Sequence, residues 1–350
     1  MAVVGGGVTG CACALALAEA GLRVRLHEER EIAGGASGRN GGFALRGVAA
    51  PYDVMVESIG RERARALWER TERALDRMEE LAGDAFRRIG SLRIAADGEE
   101  VGEVRAEYEG LRADGFAVEW LDELGPQLAG RHAGAILHTP DAVLQPARWV
   151  RRLAVLAVEA GVEIRERSRV SSLGELDADR VVVATDGYPS GLLGPIEGRI
   201  IPTRGQMIAT EPMDELLFER PHYSRHGYDY WHQRPDGRIL AGGFRDVALQ
   251  TEFTAVEETT PPIQEALESF VSGLAGRPLG ITHRWAGIFG FVPDFLPVVG
   301  PVPGEERVWV AGGYSGHGNV LGLMCGDLAA AAILGRDAPD LDLFDPARLL

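Results

Sequence analysis

The chain opens on VVGGGVTGCACALALAEAGLRVRLHEER (residues 3–30), and this stretch restricts the fold more than any other. Gly5, Gly7 and Gly10 stand in the spacing GxGxxG. Residues 2–4 ahead of them are of β type, and residues 11–20 behind them form an alanine-rich helical run that Gly21 closes. In a strand–turn–helix unit of this kind each glycine has its own task. One makes the tight turn, one lets backbone approach a pyrophosphate, and one lets helix and strand pack closely. The helix start offers free N–H groups to phosphate oxygens, so Gly5, Gly7, Val8, Thr9 and Gly10 are candidate cofactor contacts. Residues 22–27 read as the next strand, and Glu28 ends it 18 residues past Gly10. An acid at that distance and at a strand end is placed to accept from the ribose hydroxyls of an adenine dinucleotide. Glu28 and its neighbour Glu29 are the candidates; the competing reading is a solvated acid beside Glu29 and Arg30. Strand, spacing and acid agree, which weights the dinucleotide site above it.

The same stretch is apolar enough to pass for an export signal. No basic segment precedes it, however, and Gly5, Gly6, Gly7 and Gly10 interrupt its first ten residues, a poor composition for a signal core. No later run reaches the roughly 18 apolar residues of a membrane span, so a cytoplasmic protein without membrane attachment is expected. The three cysteines, Cys11, Cys13 and Cys325, lack any zinc-like spacing. No metal site is expected, and Cys11 and Cys13 read as small residues of a closely packed helix rather than reactive thiols. A formal charge of -16 over 350 residues excludes a nucleic-acid binder. The first strand has three residues where a central strand usually has about 5 to 6, which reads as a trimmed or misassigned start.

Which dinucleotide binds is decided further along. GGASGRNGGF (34–43) follows the second strand with a glycine-rich backbone, a hydroxyl and a guanidinium, groups suited to a diphosphate or a flavin edge. Ala36, Ser37, Arg39, Asn40, Gly41 and Gly42 are its candidate contacts; an ordinary flexible loop is the alternative. RVVVATDGYPS (180–190), IIPTRGQMIATEP (200–212), RWAGIFGFVPDFLPVVGP (284–301) and VWVAGGYSGHGNVLGLMCGDLAA (308–330) complete the pattern. With these motifs in this order the chain resembles the FAD-dependent D-amino-acid oxidase (DAO) superfamily from residue 3 to about residue 331, nearest its γ-glutamylputrescine oxidase-like branch.

The resemblance implies noncovalent FAD, since the position of the family's flavin-linking cysteine falls near Gly287. It further implies that Val170 meets the adenine, that Ala184 and Thr185 approach the dinucleotide, and that Gly313, Tyr314, Gly316, His317 and Gly318 lie under the flavin ring. The fold implied is α/β: a discontinuous Rossmann-like FAD-binding domain (1–85, 140–199 and 284–350) with an α+β substrate domain (86–139 and 200–283) whose antiparallel sheet roofs the flavin. The residues themselves are consistent with that plan. Residues 58–82 and 148–160 have helical apolar stripes, residues 161–170 read as a strand, YDYWHQ and RILAGG are joined by the turn signal RPDG, and residues 262–274 read as a helix.

A flavin accepts a hydride equivalent from the carbon beside nitrogen, so the protein need only bind, orient and tune. In relatives of this type an arginine shortly after the W.G element clamps a substrate carboxylate; here that position is Phe289. The expected substrate is therefore a small amine, primary or secondary, with a polyamine derivative included, oxidised to an imine that hydrolyses to a carbonyl compound. Oxygen or another acceptor would reoxidise the flavin. Arg284, Arg245 and Arg46 are alternative clamps, which leaves a glycine-, sarcosine- or D-amino-acid-like substrate as the second reading. Tyr230 and His232 share a strand face and join Phe289, Tyr314 and His317 as candidate catalytic or caging side chains. For Tyr230 and His232 an ordinary aromatic core is about equally consistent. An NAD-dependent dehydrogenase and a catalytically silent flavin-binding protein are the remaining alternatives.

Overall fold

The structure, a computed structural model, describes residues 1–130 and 132–350. Ala2–Val4, a fully buried run, forms the middle of a six-stranded sheet. Parallel neighbours lie on both sides of it, Arg25–His27 on one and Val181–Val183 on the other. Glu163–Arg165 extends the first side and Glu305–Gly312 the second, and Val298–Val302 adds an antiparallel edge. The first strand is short, but so are the three parallel strands nearest it, each of three residues. Strand order reverses at Ala2–Val4, so a crevice opens at its carboxyl end, where such sheets accept ligands.

The first helix, Val8–Glu19, is apolar all round and therefore needs cover on every face. Gly318–Ile333 and Pro146–Glu159 supply it. The contact with Gly318–Ile333 is close because small residues meet there: a Cβ on Gly326 would lie 2.7 Å from the Thr9 carbonyl, and one on Gly322 2.5 Å from Val8. Cys11, Cys13 and Cys325 sit in this packing without any exposure. Burial pushes the Cys11 and Cys13 thiols up to about 12, so they are inert.

The helix expected over residues 58–82 is two helices, Tyr52–Ile59 and Arg61–Ala82, divided at Gly60, whose φ of 86° is outside helical space. Leu67, Leu75 and Met78 form the buried stripe, with Trp68 alongside. The strand expected over 161–170 has ladder partners only at Glu163–Arg165.

Eight strands build the second sheet, in the order Ile281–Phe291, Ile201–Thr210, Ile239–Gly243, Asp229–Gln233, His222–Ser224, Ser91–Ile94, Ala135–His138, Val118–Leu121. The hairpin at RPDG closes with Gly237 at φ 83° and with the Arg234 N–H donating to the Arg238 carbonyl at 2.8 Å. The two long strands of the sheet, Ile201–Thr210 and Ile281–Phe291, pair so that Gly205 stands opposite Gly287. Strand alternation then divides the faces. Trp231 turns to the side covered by helix Pro261–Ala275, where His222 stacks on it at 5.0 Å and Ile263, Leu267 and Val271 complete a dry cluster. Tyr230 turns to the opposite side. A third, small antiparallel sheet is formed by Phe43–Ala44, Ala142–Leu144 and Phe86–Arg88, in that order. Among the described residues no helix is long and apolar enough to cross a membrane.

Candidate functional site

The carboxyl ends of the parallel strands and the Tyr230 face of the eight-stranded sheet enclose one continuous cavity of about 510 Å³. Its floor begins at the first glycine turn. Gly5 takes φ 112°, and a Cβ there would lie 2.5 Å from the Ala184 carbonyl; a Cβ on Gly10 would lie 1.9 Å from the Gly5 carbonyl. Gly5, Gly7, Val8 and Thr9 line the cavity, whereas Gly10 lies outside it and serves the helix–strand contact. Glu28 is wired into the turn: one oxygen accepts from the Gly6 N–H at 2.7 Å, the other from the Arg30 N–H at 2.8 Å. Each oxygen retains a free lone pair for a hydroxyl donor. Glu29 lines the wall but turns outward toward Arg169 at 3.6 Å.

The glycine-rich loop after the second strand folds onto that turn. Ser37 accepts from the Val8 N–H at 3.1 Å, which places its hydroxyl at the start of the first helix. Arg39 donates to the Gly34 carbonyl at 2.8 Å and stands 3.5 Å from Glu257. Asn40 is committed internally. It exchanges hydrogen bonds with Asn319 at 3.0 and 3.1 Å, donates to the Ala36 and Ser37 carbonyls, and accepts from the Gly42 N–H. Ala36, Ser37, Arg39, Asn40 and Gly41 line the cavity; Gly42 does not, being pressed against the Leu144 carbonyl.

The far wall is GGYSGHG, and it is fastened by a residue the sequence reading passed over. Asp186 follows strand Val181–Val183 and Ala184–Thr185; its carboxylate accepts from the Gly313 N–H at 2.7 Å and the Gly290 N–H at 2.8 Å. Burial raises its pKa above the usual value, opposed by these backbone donors. One side chain thus ties the parallel sheet, the glycine turn and strand Ile281–Phe291 together. The sequence offers one signal, an aspartate inside ATDGY, since aspartate tolerates the left-handed region that it takes here at φ 50°. Val170, Ala184, Thr185, Gly316, His317 and Gly318 line the wall, and Gly313 lies behind it.

Tyr314 also lines it, yet its hydroxyl meets Thr9 at 2.8 Å within the helix packing. His317 caps helix Gly318–Ile333, and burial pushes its imidazole down to about 4, so it is neutral. Two buried polar atoms in this region, His317 Nδ1 and Thr185 Oγ1, have no protein partner. Glycine-lined backbone, an acid at the second strand end and these unpartnered atoms together fit an adenine dinucleotide with a polar ring system.

On the opposite side lie Phe289, Tyr230 and Phe43, with Phe43 edge-on to Tyr230 at 5.9 Å. A point above Gly205 is 3.7 Å from the Tyr230 hydroxyl and 3.8 Å from the Phe289 ring, so these two side chains converge on it. His232 does share Tyr230's face but packs behind Phe43 at 5.8 Å and is outside the cavity lining. Burial pushes it down to about 4. Of the three alternative arginines, Arg284 pairs with Glu268 and donates to Gln264 on helix Pro261–Ala275. Arg46 lines the cavity but is paired with Glu72 and donates to the Ala117 carbonyl at 2.8 Å. Arg245 lines the cavity with its guanidinium 5.2 Å from the ring centres of both Tyr228 and Phe289. The inner end carries polar groups that sequence reading did not foresee: the buried pair Arg93–Glu107, His138, and Asp141, which burial pushes up to about 6. They come from two strands, a helix and a loop, and no local motif marks them.

Comparison with known proteins decides the family. The family model DAO, described as FAD dependent oxidoreductase, matches residues 1–332. The chain belongs to the DAO family of FAD-dependent oxidoreductases. It is an enzyme of that family, with FAD as cofactor, acting on amines or amino acids. No cysteine lines the cavity, and the FAD is held noncovalently. Among curated DAO relatives, gamma-glutamylputrescine oxidoreductase of Escherichia coli is 29% identical, covering 98% of this chain and 85% of that protein. The probable oxidoreductase OrdL of Rhizobium meliloti is also 29% identical, over 100% of this chain and 86% of that protein. Glycine oxidase from Geobacillus kaustophilus superposes with a TM-score of 0.79 at 22% identity, covering 99% and 98% of the two chains, which shows the shared mixed α/β fold.

Proposed function

We propose that this DAO-family enzyme oxidises the C–N bond of a small amine, primary or secondary, to an imine that water converts to a carbonyl compound. The observation that carries the reading is Phe289, an aromatic ring converging with Tyr230 above Gly205 at the position where the family resemblance puts a carboxylate-clamping arginine. A polyamine derivative is included among the substrates considered, in keeping with the relative named gamma-glutamylputrescine oxidoreductase.

In this reading the first glycine turn and Ser37 hold the diphosphate, Glu28 accepts from ribose hydroxyls, and the turn Gly316–His317–Gly318 faces the ring system. Bound FAD supplies the acceptor for a hydride equivalent from the carbon beside nitrogen. The chain's own contribution is placement. Tyr230, Phe289 and Phe43 build a wall that excludes water and orients the amine, and the start of helix Gly318–Ile333 favours negative charge beside it. The substrate nitrogen has to be neutral to react. His317, neutral throughout the ordinary pH range, adds no opposing positive charge. The three buried free cysteines fit the reducing cytoplasm in which we place the enzyme.

The test is anaerobic. Purified holoenzyme mixed with primary amines, N-methyl amines and D-amino acids is expected to lose its flavin absorbance fastest with an amine. D-amino acids outpacing every amine would overturn the argument from Phe289, and no reduction by any compound would favour a silent flavin-binding protein.

A further inference from the structure

Three side chains on the cofactor side of the cavity converge on one carboxylate that belongs to the connections of the other sheet. Glu257 accepts from the Arg30 guanidinium at 2.6 Å and from the Tyr188 hydroxyl, and it stands 3.5 Å from the Arg39 guanidinium. Arg30 follows Glu28 by two residues, and Arg39 ends the short helix that carries Ser37. Tyr188 lies against the same glycine-rich loop, where a Cβ on Gly35 would meet its ring at 3.1 Å. All three line the cavity. They border the stretch between Glu28, the acid at the second strand end, and Ser37, the hydroxyl at the start of the first helix.

Glu257 reaches them from an arch, residues 253–259, between helices Leu249–Glu252 and Pro261–Ala275. Both feet of the arch are fixed to strand Ile201–Thr210. At one foot, buried Glu252 accepts from Arg204 at 2.6 and 3.0 Å and from Gln206 at 3.0 Å. At the other, Gln206 donates to the Thr260 hydroxyl at 2.8 Å and accepts from the Thr260 N–H at the same distance. The span between is held less firmly: Phe253 and Val256 are exposed, and Ala255 faces the cavity. A segment with firm ends and little buried surface between them opens locally while the rest stays folded. A carboxylate beside a diphosphate groove repels the ligand it adjoins, so contact with the cofactor is not what Glu257 contributes. Its contribution is closure.

We propose that residues 253–259 form a gate over the dinucleotide groove, latched by Glu257 on Arg30, Arg39 and Tyr188, so that FAD enters and leaves only when the latch releases. The gate concerns the cofactor alone and stands whichever compound is oxidised. It also has a kinetic signature of its own. A gate slows entry and release together, whereas an ordinary contact slows release alone and a repelling charge hastens it.

The test is exchange of bound FAD in the holoenzyme against a large excess of isotopically labelled FAD, followed by mass spectrometry after rapid desalting, together with the dissociation constant from dilution. Glu257→Gln keeps the size of the side chain and removes its charge. Exchange should quicken about 5- to 30-fold, the worth of charge-assisted contacts to arginines more than a third exposed, with a much smaller change in the dissociation constant. Tyr188→Phe withdraws one donor while its ring stays against Gly35, and it should move the same rate in the same direction by a smaller factor. Exchange of Glu257→Gln at the wild-type rate overturns the proposal. So does slower exchange, which would mean that the carboxylate only opposes the charge of the ligand. A dissociation constant that weakens by the factor by which exchange quickens also overturns it, since that is the loss of an ordinary contact. Should Glu257→Gln purify without flavin, Tyr188→Phe carries both measurements under the same criteria.

Discussion

The cavity has two walls built on different principles. The cofactor wall is made of backbone: Gly5, Gly10, Gly313 and Gly316 hold positive φ or close approaches that no side chain could share, and Asp186 and Asn40 spend their polar groups on neighbouring N–H and C=O groups. The opposite wall is made of side chains, Phe43, Tyr230, Phe289 and Arg245, brought from three strands and the turn that follows a fourth. The first wall tolerates little change and reads a ligand that is the same across a family. The second is built from side chains that can be exchanged singly, and in the proposed function it is where the substrate is chosen.

The largest expected effect tests the rigid wall. Gly10→Val puts carbon into a gap of 1.9 Å, and overpacking this severe at a helix–strand contact displaces backbone; the protein should purify without yellow colour or fail to fold. Full flavin content in this variant would break the comparison. Next is the staple between walls. Asp186→Ala leaves the Gly290 and Gly313 N–H groups unsatisfied, which at about 1–3 kcal/mol for each buried donor should lower the thermal midpoint and the FAD affinity together. A fall in amine reduction with FAD affinity intact would show that Asp186 belongs to the substrate side alone.

The third substitution fills the variable wall. Gly205→Val occupies the point where Tyr230 and Phe289 converge, and the amine half-saturation should rise about 10- to 200-fold, the worth of one or two misplaced methyl groups in a pocket, while flavin content per chain holds. Loss of flavin would mean that the walls are not separable. The smallest effect sharpens the boundary. His232 lies behind Phe43 with its pKa at about 4, below the ordinary 6.5. Below pH 6.5 the unfolded chain takes up a proton that the folded one refuses, so the stability this residue contributes is present above pH 6.5 and lost as pH falls toward 4. Between pH 7.5 and 5.5 the loss is on the order of 1 kcal/mol for this histidine. His232→Gln should remove that part of the acid destabilisation in denaturant titrations, and an unaltered pH dependence would contradict the buried, neutral assignment.

The same difference explains what could be read from the residues alone. Gly5, Gly7, Gly10 and Glu28 announce themselves because a turn against a helix start allows only certain residues at fixed spacing. The RPDG hairpin is legible for the same reason. Arg245 and Asp141 carry no local signature: their place in the cavity follows from strand pairing and from which acids their neighbours have already neutralised. His232 shows the limit of alternation as a guide. It shares Tyr230's face, but Phe43, from a short strand nearly 190 residues earlier, covers one and leaves the other open. The break at Gly60 was visible as a glycine in a helical pattern, and the fixed φ of 86° made it a boundary.

In the proposed reaction bound FAD takes its reducing equivalent from the carbon beside an amine nitrogen. Stopped-flow reduction of the holoenzyme without oxygen, with an amine that reduces it and with the same amine deuterated at that carbon, tests this most directly. The flavin should bleach in both cases and more slowly with the deuterated amine. Bleaching at equal rates with chemistry otherwise unlimited by binding, or bleaching only by compounds that lack a C–N bond, would contradict it.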